Sequence, residues 1–186
     1  MAPSTASQTR REFLEFLLKI TGIQPKQVKY GTSKNPVWIM TFAGYPKPGL
    51  TTLVSFGASR LAQSMYRGFD IGYELSLTLA KPDSSSVKDL VNIVVEYLRN
   101  GNSGERRASI EYNGVSAPGY PPHYLFTDAV TCTPKFSGRK RFGNQWIELL
   151  AAVPLDDAEL RQYDRSFPKL ISKLRREDEI AKYPRR

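Results

Sequence analysis

Tyr73-Glu74-Leu75-Ser76-Leu77-Thr78-Leu79-Ala80 is the stretch on which the reading of the fold turns. Tyr73, Leu75, Leu77 and Leu79 alternate with Glu74, Ser76 and Thr78, the two-residue period of a strand with one face in a core and the other toward polar surroundings. Pro82 ends it. Upstream, three shorter runs of strand character occupy 27–30, 37–42 and 51–56, parted by the turn formers Asn35-Pro36 and Pro46-Lys47-Pro48-Gly49. Before them, Thr9-Arg10-Arg11-Glu12 reads as a capping box. It opens a helix whose stripe is Phe13, Leu14, Leu17, Leu18 and Ile20, stopped by Gly22 and Pro25.

Downstream, Ser86-Val87-Lys88-Asp89 starts a second helix, with Leu90, Val91, Val94, Val95 and Leu98 at helical spacing and Asn100-Gly101-Asn102 closing it. Its β-branched content keeps a strand open as the alternative for 91–95. Residues 113–122 are too rich in Pro and Gly for regular structure and read as a loop of the kind that carries binding surfaces. Two core strands follow, at 124–132 and 145–153, joined through 134–144. Asp156-Asp157-Ala158-Glu159 caps a further helix, and Leu170, Ile171 and Leu174 mark the last one. Sheet, helix, sheet, helices is the order of an α+β protein: a mixed, mostly antiparallel sheet with helices packed on it. The expected organisation is a single domain over 7–181, between a disordered leader at 1–6 and a basic tail at 182–186.

At 186 residues the chain can bury an ample core without a metal or disulfide staple. With one cysteine, Cys132, no intramolecular disulfide can form, which fits a reducing compartment. The N-terminus lacks the cationic start and apolar stretch of a secretion signal, and no run approaches the roughly 20 apolar residues that span a bilayer. A cytoplasmic protein is expected, without a membrane partner. The formal net charge of +9 creates a field that steers acidic partners toward the chain.

Reactive chemistry finds little support in the residues. The single histidine, His123, has Asp128 five residues on and no cysteine or histidine nearby, so a Cys/His zinc site is untenable and no metal or cofactor is expected. A His123–Asp128 catalytic pair is conceivable, against the plainer reading of a structural or exposed loop histidine. Gly57-Ala58-Ser59-Arg60-Leu61 begins like a hydrolase nucleophile elbow, but Leu61 stands where the closing glycine is needed, and Ser59 reads as a turn or cap. No catalytic residue is assigned. Glu74 is read as structural, pairing with a buried Arg or capping backbone amides.

Four stretches in order carry a resemblance: Thr52-Leu53-Val54-Ser55-Phe56-Gly57-Ala58-Ser59, then Tyr73-Glu74-Leu75-Ser76-Leu77, then the helix around 90–98, then Trp146-Ile147-Glu148-Leu149-Leu150-Ala151-Ala152-Val153-Pro154-Leu155-Asp156-Asp157-Ala158-Glu159-Leu160. Over about residues 37–175 this pattern resembles the suppressor-of-fused domain family. There, a strand ending in Gly-x-Ser precedes a strand opening with Glu-Leu, and a late strand runs into a Pro before an acidic-capped helix. The resemblance implies a protein-binding domain without a catalytic centre. The shortness of the chain favours the bacterial stand-alone type, immunity proteins that neutralise a cognate toxin.

The partner-binding residues expected on this reading are Tyr120 and His123, beside the 113–122 loop, and Lys135, Phe136, Arg139, Lys140, Arg141 and Phe142, in the most concentrated basic run. The expected partner is a protein toxin with an acidic surface, covered at its active or docking face. Flanked by aromatics, the same basic run also suits single-stranded nucleic acid through phosphate contacts and base stacking, and this is the alternative function.

Overall fold

The computed structural model describes residues 5–32, 34, 36–61, 63–66, 69–80, 86–99, 109–111, 123–129 and 132–177. Among them, nine strands form one sheet and four helices cover it. The elements in chain order are α1 (Thr5–Thr21), β1 (Lys26–Gly31), β2 (Pro36–Ala43), β3 (Leu50–Phe56), β4 (Gln63–Tyr66), β5 (Phe69–Ala80), α2 (Ser86–Arg99), β6 (Ser109–Glu111), β7 (His123–Thr127), β8 (Gly138–Phe142), β9 (Gln145–Leu155), α3 (Asp157–Arg165) and α4 (Phe167–Glu177). The expected 113–122 loop lies outside the described residues.

Sheet order is β1-β2-β3-β5-β9-β7-β6, with β4 also on β5 and β8 also on β9. Every pairing is antiparallel except β5 with β9, where Ile71 through Ser76 run beside Trp146 through Ala151. This central parallel pair makes the sheet mixed. The expected strand at 73–80 is present, but its polar face does not look into solvent: Glu74, Ser76 and Thr78 are as buried as the leucines between them.

The reason is a helix on each face. Tyr73, Leu75, Leu77 and Leu79 of β5 pack with Leu53, Phe126, Leu150 and Ala152 under Leu90, Ile93, Val94 and Tyr97 of α2. The helical spacing of those α2 residues settles the earlier ambiguity in favour of helix. On the opposite face, Phe13 and Leu17 of α1 meet Met40, Phe42, Val54, Phe56, Ile147 and Leu149, while farther along Leu170 and Leu174 of α4 cover Leu125, Val153 and Leu155. Each fully buried leucine or phenylalanine here contributes about 1.5–3 kcal/mol relative to exposure.

Local signals meet mixed outcomes. Asp156 caps α3 with the reciprocal bonds of a capping box: its carboxylate accepts from Glu159 N at 2.9 Å, and Asp156 N donates to Glu159 Oε2 at 2.9 Å. Thr9 and Glu12 make no such box, because α1 begins at Thr5, taking in two residues that sequence assigned to the leader. Thr9 Oγ1 instead donates to Phe142 O, and Glu12 accepts from Gly143 N at 2.5 Å, so both fasten α1 to the β8–β9 turn. The strand expected at 124–132 ends at Thr127.

Between β3 and β4, the turn at Gly57–Leu61 fills the gap beside β5. A side chain at Gly72 would put its Cβ 2.3 Å from Ser59 O and 2.6 Å from Ser59 Cβ, so only glycine lets the turn lie this close. Gly72→Ala is therefore expected to destabilise the fold by about 2–3 kcal/mol through overpacking. Urea unfolding checks this, with a lowered midpoint at unchanged slope.

Candidate partner-binding surface

The site rests on a buried carboxylate. Glu74 is 0 % exposed; its Oε1 accepts from Gly57 N at 2.7 Å and Ser59 N at 3.0 Å, and its Oε2 accepts from the Ser55 hydroxyl at 2.6 Å. Of the two structural roles expected for it, capping of backbone amides is the one present. Burial pushes its carboxyl above the ordinary range, against the downward pull of those three donors. Ser59 is also 0 % exposed, with its carbonyl held by Gln145 Nε2 at 3.1 Å, so the elbow-like stretch is a packed turn with no accessible nucleophile.

The basic run is not the open loop that the sequence suggested. Its second half is β8, the outer arm of a hairpin with β9. Arg139 sits across from Glu148 and bonds it through Nη2 at 3.0 Å and Nε at 3.3 Å; Glu148 is 1 % exposed, whereas the Arg139 side chain keeps about a third of its surface in solvent. Lys140 donates to Ser137 O at 2.8 Å, with its ammonium 4.8 Å from the Phe16 ring centre. Partial burial draws the Lys140 pKa down, opposed by the charge of Asp128. Lys135 and Arg141 are exposed, the latter bonded through Nε to Gly143 O at 3.2 Å.

Phe136 and Phe142, expected on the binding surface, are instead core residues at 0 % and 6 % exposure. Phe136 packs on Tyr45 with centroids 5.5 Å apart, and Phe142 stands edge-on to Phe13 at 5.1 Å and Phe16 at 5.4 Å. Strand alternation explains the second: Phe142 points inward, whereas Arg139 and Arg141 point outward. The two rings anchor the basic hairpin and offer no face to a partner.

His123 is half-buried at the start of β7, opposite Leu155, while Lys140 lies opposite Ile147. Along β9 that separation is roughly 27 Å, so the two halves of the expected site do not meet. Tyr120 lies outside the described residues. His123 opens β7 and Asp128 follows its last residue, Thr127, roughly 17 Å away along an extended chain, too far to act as a catalytic pair. Among the described residues there is no group of three or more His, Cys, Asp or Glu placed to hold a metal, and no helix long and apolar enough to cross a membrane.

Sequence reading missed the share of α1. Phe16, Lys19 and Ile20, at i, i+3 and i+4, border the basic segment together with Pro134, Lys135 and Lys140. On the other flank of α1, the Arg10 guanidinium lies 3.8 Å above the Trp38 ring, near Arg11 and Arg60. Lys19, Arg10 and Arg11 were visible as cations on an amphipathic helix; that Lys19 would stand beside the basic segment was not, since 115 or more residues separate the two.

No protein-family model and no curated protein matches this chain. Solved structures do. A structure of the Sufu–Fu complex superposes with a TM-score of 0.67 at 16 % identity over 91 % of this chain and 85 % of that one. Drosophila Suppressor of Fused gives 0.70 at 16 % identity over 93 % of this chain, which spans 48 % of that protein. A putative suppressor-of-fused homologue from Neisseria gonorrhoeae gives 0.64 at 11 % identity, over 93 % and 88 %. The fold is thus suppressor-of-fused-like, as the resemblance implied.

Glu74→Ala, which leaves the amides of Gly57 and Ser59 without their acceptor, is expected to cost about 2–4 kcal/mol, and Glu74→Gln, which keeps one acceptor oxygen, distinctly less. Because the folded carboxyl is raised above its unfolded value, its stabilising share is complete below the unfolded pKa and is lost as pH rises through the folded one. Wild-type stability relative to Glu74→Gln should therefore fall with rising pH in urea titrations.

Proposed function

We propose that this chain is a binding protein that grips the acidic face of a protein partner, and that it serves in the cytoplasm as an immunity protein neutralising a cognate toxin by covering its active or docking surface. The observation that carries the reading is the β8 hairpin: Arg139 and Arg141 on its outer side, Phe142 and the partly buried Lys140 on its inner side, and a rigid sheet behind it. A preformed surface of this kind loses little conformational entropy on binding. Exposed Lys135, Arg139 and Arg141 and partly buried Lys140 are the contact residues proposed, with His123 at a separate place and Tyr120 also proposed. A standard interface would bury on the order of 800 Å² per partner.

The likeness to a Neisseria gonorrhoeae protein and to Sufu, which is found in a complex with Fu, supports a protein partner. The bonds that hold Glu74 and Ser59 in place favour a binding role over a catalytic one. Nucleic acid is the weaker reading. Base stacking needs exposed rings, and Phe136 and Phe142 are in the core.

Co-expression with a cognate toxin, sought in the reading frame beside its gene, is expected to restore growth and to yield a one-to-one complex. Lys135→Glu with Arg141→Glu is expected to slow association about tenfold at low salt and to flatten its salt dependence, as stopped-flow fluorescence would record. Growth arrest that persists despite full expression of this chain would dispose of the immunity role.

A further inference from the structure

Between α1 and the segment that leads into β8 lies a groove of about 920 Å³. Phe16, Ile20 and Pro134 supply its apolar lining, and Lys19, Lys135 and Lys140 its charge; no carboxylate lines it. We propose that this groove is the docking slot for an acidic peptide segment that carries one bulky apolar side chain. The inference deepens the reading above: it rests on a protein partner and specifies which part of that partner enters, and where.

Three properties select this occupant. The lining is divided, apolar beside cationic, so neither a purely charged nor a purely greasy ligand satisfies it. Phe16 and Ile20 are half-buried against the α1-side core, which fixes the apolar part in place before any ligand arrives. Lys140 is likewise held, by Ser137 O at 2.8 Å, whereas Lys19 and Lys135 are exposed and take no part in an ion pair among the described residues. Two mobile ammonium groups and one fixed one can meet carboxylates at several spacings along a chain.

Other anionic ligands fit less well. Inserting into a lipid surface calls for projecting apolar side chains, yet those of the groove are recessed among lysines; the large exposed ones among the described residues, Val28, Leu61 and Val95, lie on other elements. A nucleic-acid base would need a free ring face, and the Phe16 ring carries the Lys140 ammonium 4.8 Å from its centre. Lys19 stands in the last turn of α1, where a cation also offsets the helix dipole, but that role gives no reason for an apolar lining beside it.

The probe is a synthetic eleven-residue peptide of alternating Glu and Ser with one central Phe, titrated into the full-length protein and followed by fluorescence anisotropy and by amide shifts in nitrogen-15 spectra. Shifts are expected to cluster on the C-terminal half of α1 and on residues 133–140. Replacing the peptide's Phe with Ser should weaken binding about tenfold. Lys19→Glu with Lys135→Glu, two exposed changes whose fold is checked by circular dichroism, should weaken it by about tenfold as well. Equal affinity of the Phe and Ser peptides, or shifts centred elsewhere, would overturn the slot. So would displacement of the peptide by anionic vesicles or by single-stranded RNA at lower concentration. A co-purified protein partner whose affinity ignores the Lys19 and Lys135 reversals would sink the slot and leave the binding reading standing. Peptide binding at the groove, in a chain that captures no toxin, would do the reverse.

Discussion

A carboxylate buried in the middle of a sheet is expensive unless its oxygens find donors, and the architecture of this protein is arranged so that Glu74 finds three. Its bonds to Ser55, Gly57 and Ser59 pull the turn after β3 down onto β5. Gly72 makes room for that approach, and Gln145, at the start of β9, bonds to the same turn through Ser59 O. Ser55 completes the circuit: its Oγ accepts from Leu75 N at 2.9 Å while its hydroxyl donates to Glu74. One polar cluster thereby ties β3, β5 and the beginning of β9 together. Removing the carboxylate would leave several buried donors without acceptors at once, which is why a local change there has a global consequence.

From that centre the functional surface follows by registration. β9 lies parallel to β5, so its first half is fixed by the same polar cluster, and β8 folds back on it as a short antiparallel hairpin. Phe142 and Phe136 then plug the hairpin into the aromatic layer that includes Phe13, Phe16 and Tyr45. Arg139 is drawn across to buried Glu148. The cations of β8 are accordingly presented from a stiff support, on a strand whose outer edge faces away from β9. Lysine and arginine there also discourage unwanted edge-to-edge association, so the same charges serve solubility and recognition.

Much of this was legible along the chain. The strand at 73–80, the helix after Ser86 and the box at 156–159 act over a few residues, and each is present because local periodicity and capping are enforced by nearest neighbours, although Val95, expected on the buried stripe of that helix, is exposed. The box expected at 9–12 failed for the opposite reason. Thr9 and Glu12 have partners in the β8–β9 turn, more than 130 residues away, and those long-range bonds displaced the local pattern. Phe136 and Phe142 misled similarly: aromatics that flank a basic run look alike in sequence whether they face a partner or a core.

The sequence by itself determined the α+β class, the positive field and the principal strands, since composition and period are properties of short segments. Only the tertiary structure decided which face of each strand is covered, that His123 and the basic run lie far apart, and that α1 shares a groove with β8. Those facts depend on a parallel pairing between strands about seventy residues apart, and no local rule specifies that register.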